Sequence, residues 1–268
     1  MNDNLLTSDV NPDARPAATL VLFRAAKGGP DELLVVERSS AMAFAGGAIV
    51  FPGGRVDPDD LVVAGNDEWL LSGQNLPPIE GAARVAAIRE TLEESGFAIG
   101  FETEPDAEWI ARARVSLHAH EPFSGLIGRH RLDLEALTPF ARWCPQHREA
   151  RVFDTRFYIA RAPEGAGDPK VDATENVQSF WASARDLLTS ADDGRVFVIY
   201  PTRRNLERLA QFEGFADTQA HALSIPVEAI SPYEEQRDGE RHLCIPEGLG
   251  YPITSEALKS AFTAYKRT

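Results

Sequence analysis

The sequence predicts an α/β fold, a mixed sheet with helices on both of its faces. Three observations carry that expectation. Apolar, β-branched runs over 17–25 and 32–38 are joined by the turn cluster Lys27-Gly28-Gly29-Pro30, which reads as a hairpin. From Pro78 to Gly96 the apolar residues Val85, Ile88 and Leu92 recur at helical spacing. Farther on, Val177 to Trp181 reads as a strand that runs straight into a helical Ser183-Ala184-Arg185-Asp186-Leu187-Leu188.

The remaining elements follow in order. Residues 1–15 are polar, contain Pro12 and are followed by Pro16, and are expected to be loose. A short strand over Ala48 to Phe51 leads into Pro52-Gly53-Gly54. Residues 56–80, rich in Asp, Gly and Pro around Trp69-Leu70-Leu71, read as a surface excursion. The next helix starts near Pro78, where a missing N–H costs nothing, and stops at Gly96, suited to a left-handed C-cap. A second helix is expected over 105–118, with Trp109, Ile110, Ala113 and Leu117 on one stripe. Pro139 to Trp143 and Ala150 to Ala160 are strand candidates. Val196 to Tyr200 and Pro201 lead into a helix from Thr202 to Phe212 that turns Leu206, Leu209 and Ala210 inward. Pro226 to Pro252, carrying Leu243-Cys244-Ile245, suggests a packed irregular segment or a hairpin. Ser255 to Lys266 reads as a closing helix with Leu258, Phe262 and Tyr265 on one face.

A chain of 268 residues, 43% hydrophobic, can bury a sizeable core. Its net charge of −14 argues against nucleic acid or an anionic membrane as a partner, since both select basic surfaces. A polyanionic substrate would need local arginines and bound metal. Cys144 and Cys244 are far apart with no C-x-x-C spacing, which points to a reducing compartment; without a long apolar run or a signal-peptide pattern, a cytoplasmic location is expected. Oligomeric state is left open, a homodimer being one option.

Arg89-Glu90-Thr91-Leu92-Glu93-Glu94-Ser95-Gly96-Phe97 carries the chemistry. Glu90, Glu93 and Glu94 share a helix side apart from the apolar one, near the C-terminus, where the macrodipole disfavours anions. A bound cation would relieve the repulsion, and oxygen ligands suit Mg²⁺ or Mn²⁺. The same spacing also fits a solvated acidic face.

Together with Phe51-Pro52-Gly53-Gly54 upstream, this segment resembles the box of the Nudix hydrolases, G-x5-E-x7-R-E-U-x-E-E-x-G-U with U a bulky apolar residue. Gly53, Gly54, Arg89, Glu90, Glu93, Glu94, Gly96 and Phe97 match. Arg89 follows Gly54 by 35 residues where the pattern has 14, so 21 extra residues split the box. Counted back from Arg89, the internal glutamate falls on Gly81, with Glu80 beside it, and Thr91 stands at the U position. Arg38, Ser39 and Gly47 also fit the register of the coenzyme A diphosphatase branch, although Val36 and Ala43 replace its threonine and second arginine. Arg38 also suits a strand-end surface ion pair.

The resemblance implies an α/β/α sandwich over 16–215, with an insertion at about 56–80 and a partly helical extension, 216–268, packed on it. It implies Mg²⁺ or Mn²⁺ held by the Gly53 carbonyl, Glu90, Glu93 and Glu94. It further implies catalysis by Glu93, Glu94 and Arg89, with Arg38 and Gly54 on the substrate. The substrate would be a nucleoside diphosphate derivative: (acyl-)coenzyme A, or else ADP-ribose or a dinucleotide. A nucleotide-sensing module without activity is the reading from another class. Elsewhere, Arg203 and Arg204 at a helix start could hold a phosphate or serve as exposed charge, His118-Ala-His120 lacks further zinc ligands, and Glu175 stands where an extra carboxylate could reach metal or water.

Overall fold

The computed structural model describes residues 14–40, 45–71, 75–145, 152–170 and 176–263. Among these, eight strands form one mixed sheet: β1 (Arg15–Arg24), β2 (Glu32–Arg38), β3 (Ile49–Val50), β4 (Gly53–Arg55), β5 (Thr138–Trp143), β6 (Phe153–Arg161), β7 (Asn176–Ser183) and β8 (Ala229–Ile230). One edge of β1 is paired in parallel with β6 from Arg15↔Phe153 to Phe23↔Arg161. The other edge is shared. β2 pairs with β1 only near the hairpin turn, at Phe23↔Leu33 and Arg24↔Glu32, while β4 takes Ala17, Ala18 and Thr19. The two hairpin strands splay, and the chain from Ile49 to Arg55 fills the wedge. It pairs first with β2 as β3, bends at Phe51-Pro52, and pairs with β1 as β4.

Strand residues alternate between two cores, as buried strands must. Ala18, Leu20, Leu22, Tyr158 and Ala160 face α1 (Pro58–Ala64), α2 (Pro78–Ser95), α3 (Ala107–His118) and α4 (Phe123–Ile127). Val21, Phe23, Phe157 and Ile159 face α5 (Ala184–Asp192), α6 (Tyr200–Leu209) and α7 (Phe215–Ser224). The architecture is therefore the expected α/β/α sandwich. A smaller three-stranded sheet, β9 (Tyr233–Arg237), β10 (Glu240–Cys244) and β11 (Ser255–Ala257), followed by α8 (Leu258–Thr263), adds Leu243, Ile245, Tyr251 and Ala261 to the second core. No helix among the described residues is long and apolar enough to cross a membrane.

Several boundaries differ from the sequence expectation. The hairpin, α2, α3 and the strand-to-helix transition at Ser183 form where expected, with Gly96 at φ 81° closing α2. The closing helix is shorter: Ser255–Ala257 pair with β10, and the helix begins only at Leu258. Tyr265 and Ala150 lie outside the described residues. The segment 56–80 is more than a surface excursion. It contains α1, which packs on α2 and buries Val63 and Asp60 completely, while Leu70 joins the same core. Arg203 and Arg204 are neither a phosphate grip nor free surface charge. Arg204 is 2% exposed and donates to Glu207 and Glu256, and Arg203 pairs with Asp192 and Glu207.

Asp31, in the hairpin turn, reaches across the sequence to α7. Its carboxylate accepts the Phe215 N–H at 2.9 Å and its own N–H donates to the Glu213 carbonyl at 2.8 Å, which ties the second-core helix to the hairpin. This is an N-cap supplied from a remote segment. Asp31→Ala should lower stability by about 0.5–2 kcal/mol, read from urea unfolding with an unchanged slope. An unshifted midpoint would show the cap to be dispensable.

Candidate functional site

The wedge where β1 and β2 part brings the motif together. β4 runs between β1 and α2. A Cβ on Gly54 would fall where the Glu90 carboxyl group now lies, and one on Gly53 would strike the Ala18 carbonyl and Thr19 of β1. The glycine pair accommodates both approaches, to a side chain on one side and to strand backbone on the other. It leaves the Gly53 N–H free to donate to Glu94 Oε2 at 3.2 Å.

Arg89 is 7% exposed and organises the acidic residues. Its Nε and Nη2 donate to the two oxygens of Asp60 at 2.9 and 3.0 Å, a bidentate pair. Nη2 also donates to the Arg55 carbonyl at 3.0 Å, and Nη1 donates to Glu90 Oε1 at 2.7 Å. Asp57 at 3.7 Å and Glu93 at 4.0 Å complete the surroundings. Burial alone would ease the proton off Arg89; Glu90 and Asp60 outweigh it and hold the guanidinium more firmly charged.

Asp60 is the residue that sequence reasoning missed. Counting back from Arg89 pointed to Gly81 and its neighbour Glu80, but Glu80 accepts from Arg84 and Tyr158 and pairs with Arg156, away from the glutamate face. Counting forward from Gly54 would have found Asp60 at the G-x5-E position, with aspartate in place of glutamate. The 21 extra residues then fall between Asp60 and Arg89, and α1 returns the carboxylate to the arginine.

The three glutamates lie together, each with a different partner. Glu90 takes Arg89; Glu93 Oε1 lies 3.2 Å from His118 Nδ1 on α3; Glu94 takes the Gly53 N–H and the Asn176 side chain at the start of β7. Burial, with Glu93 nearby, raises the Glu90 carboxyl to about 7 despite Arg89. Glu94, 5% exposed, is raised well above the usual range by burial and by Glu90, against the pull of Asn176, Arg38 and Gly53. Arg38 stands opposite Asn176 in the β2–β7 ladder, close enough to act on Glu94. Its Nε is buried without a hydrogen bond, and no ion pair engages it among the described residues. The structure therefore brings Arg38, Gly53, Gly54, Arg89, Glu90, Glu93 and Glu94 to one end of the sheet. Glu175 and Ala43 lie outside the described residues.

No three carboxylate, histidine or cysteine side chains converge as a ready-made metal cage among the described residues. The donors still fit Mg²⁺ or Mn²⁺. They are oxygens only, and their carboxylates outnumber the cations around Arg89. Mg²⁺ commonly takes one or two carboxylates and leaves the rest of its shell to water and phosphate.

No family model matches the chain. Among solved structures it resembles a NUDIX hydrolase from Alicyclobacillus acidocaldarius, with 27% identity and a TM-score of 0.62 over 78% of this chain and 96% of that one. Fainter likenesses include the NUDIX domain of Shewanella oneidensis NrtR complexed with ADP ribose (12% identity, TM-score 0.43, 76% of this chain and 92% of that one). Another is a C. elegans Ap4A hydrolase binary complex (19% identity, TM-score 0.36, 67% of this chain and 87% of that one).

Removing the Asp60 carboxylate would leave a buried guanidinium short of its bidentate partner. Asp60→Ala should cost about 3 kcal/mol of unfolding free energy, measured by denaturant titration; a loss within the scatter of surface substitutions would contradict the geometry. Glu90 makes stability depend on pH. Its folded pKa of about 7 lies above the ordinary 4.5, so between these values the folded chain holds a proton that the unfolded chain has lost. Stability therefore falls as pH rises through that window. The metal-free protein should melt lower at about pH 7.5 than at about pH 5.5, and Glu90→Gln should lessen the difference while Glu94 keeps its share. An equal slope in both proteins would assign it to other groups.

Proposed function

Since the chain belongs to the Nudix hydrolase superfamily, whose fold it shares with the Alicyclobacillus enzyme, we propose that it hydrolyses the diphosphate of a nucleoside diphosphate derivative in the cytoplasm. The substrate favoured is coenzyme A or an acyl-coenzyme A, giving adenosine 3′,5′-bisphosphate and (acyl-)phosphopantetheine. The observation that carries the reading is the buried Asp60–Arg89–Glu90 array with Glu94 held beside it on the Gly53 N–H.

Mg²⁺ or Mn²⁺, when bound, neutralises diphosphate oxygens and makes a water more acidic. The chain's own residues do the rest. Arg89 fixes Glu90 on one side of the cluster, and Glu90, Glu93, Glu94 and the Gly53 carbonyl are the groups that would hold the cation. Glu94, shielded from water and with raised proton affinity, is suited to take the proton from an attacking water. Gly54, lacking a side chain, admits the Glu90 carboxyl against β4, and its part in holding the substrate rests on the family resemblance. Arg38 is the guanidinium without an ion pair among the described residues at this end of the sheet, and it is assigned to the 3′-phosphate. The presence of Asp60 supports catalysis over a purely sensing module, because Arg89 keeps the carboxylate partner that Gly81 cannot supply.

A panel of coenzyme A, acyl-coenzyme A, dephospho-coenzyme A, ADP-ribose and a reduced dinucleotide, assayed with Mg²⁺ or Mn²⁺, tests this reading. Glu94→Gln should lower turnover at least ~100-fold while the fold persists. A charge-assisted contact to the 3′-phosphate contributes roughly 1.5 kcal/mol or more, about tenfold in kcat/KM. Coenzyme A should therefore be cleaved at least ~10-fold more efficiently than its dephospho form, and Arg38→Ala should erase most of that gap. Equal efficiencies would remove the coenzyme A assignment. Binding of a nucleotide without turnover of any compound would favour the sensor.

A further inference from the structure

α3 lies outside the motif, yet two of its residues grip the middle glutamate of α2. Arg114 Nε donates to the Glu93 carbonyl at 3.0 Å, and its Nη2 donates to the Lys170 carbonyl at 2.7 Å. One turn later on the same helix face, His118 Nδ1 lies 3.2 Å from Glu93 Oε1. A carboxylate only accepts, so the contact is attractive when Nδ1 carries a proton. On its other side Glu93 Oε2 is 4.0 Å from Arg89 Nη1, which already serves Glu90 at 2.7 Å. The Glu93 carboxylate thus sits between two donors, and the histidine is the nearer.

We infer that His118 is a positioning residue, holding the Glu93 carboxylate apart from the Asp60–Arg89–Glu90 array and turned for a divalent cation. The inference rests on the cation-binding role proposed above for Glu93. Without His118, the glutamate can rotate toward Arg89, shorten its 4.0 Å contact and join a network whose acceptors are already sufficient. Cation binding would then have to break that contact and fix the side chain anew. Arg114 sets the backbone of the same residue, so both levels of Glu93 are held from α3. Glu93 and His118 side chains are 18% and 24% exposed, shielded enough for the contact to persist against water.

The test is Mn²⁺ affinity of the intact protein, measured by calorimetry beside metal-free melting. His118→Ala should weaken Mn²⁺ binding about tenfold, the usual scale for losing a group that orients a ligand, with melting little changed. At saturating Mn²⁺ most of the turnover should return. His118→Asn, which keeps a donor near the Nδ1 position, should stay within about threefold of the wild type. In a Glu93→Gln background, His118→Ala should change affinity no further. Wild-type affinity in His118→Ala, or an equal loss in the Glu93→Gln background, would overturn the inference while leaving the catalytic reading in place. Equal Mn²⁺ affinity in the wild type and Glu93→Gln would instead overturn the role of Glu93, and the positioning of it with it.

Discussion

A guanidinium taken out of water needs acceptors for its N–H groups, and Arg89 finds them in Asp60, Glu90 and the Arg55 carbonyl. These acceptors come from β4, α1 and α2, so the arginine fastens three elements at one point. The pairing fixes Glu90 relative to the glycine strand and neutralises part of a charge cluster that would otherwise repel itself. Asp60 stands ahead of the 21 extra residues, so the pairing is kept across the insertion. A buried arginine without the bidentate carboxylate would be costly.

The second constraint is the wedge in the sheet. Had β1 and β2 stayed paired along their length, no backbone could run beneath the end of α2. Their divergence admits the bent strand Ile49 to Arg55, which brings the Gly53 N–H to Glu94 and Gly54 against Glu90. Arg38 and Asn176 reach the same place because β2 and β7 remain paired to that end. Packing demand and site geometry are here the same requirement.

Charge is also gathered elsewhere in the molecule. Asp154 joins Arg142 and Arg156 on the sheet, and its carboxyl is held below the usual range by those arginines despite the opposing effect of burial. On α6, Arg204 and Glu207 are paired and largely shielded. Arg203 and Arg204 share Glu207, with Asp192 and Glu256 beside them, and burial raises the Glu207 carboxyl to about 7. Around Arg89 the carboxylates are in excess too, and there they lie against the glycine strand.

Local chemistry is enough to mark the first hairpin, the extent of α2 between Pro78 and Gly96, the strand-to-helix transition at Ser183 and the acidic triad, because these depend on residues near one another along the chain. Apolar periodicity, proline at a helix start and glycine beyond a helix end are local chemistry. The partner of Arg89 stayed hidden because distance along the chain was counted from the wrong side of an insertion, and Glu80 looked nearer than Asp60. Arg203 and Arg204 fit a phosphate grip or surface charge by sequence, because nothing local places Asp192 or Glu256 beside them. His118-Ala-His120 lacks further zinc ligands and offers no local reason for His118, whereas its contact is Glu93. Ser255 to Ala257 followed the strand rather than the helix because β10 offered backbone partners that a helical pattern cannot reveal. Tertiary structure decided these points for one physical reason: a buried charge or an open strand edge takes whichever partner the fold brings within reach, and that partner need not be close in sequence.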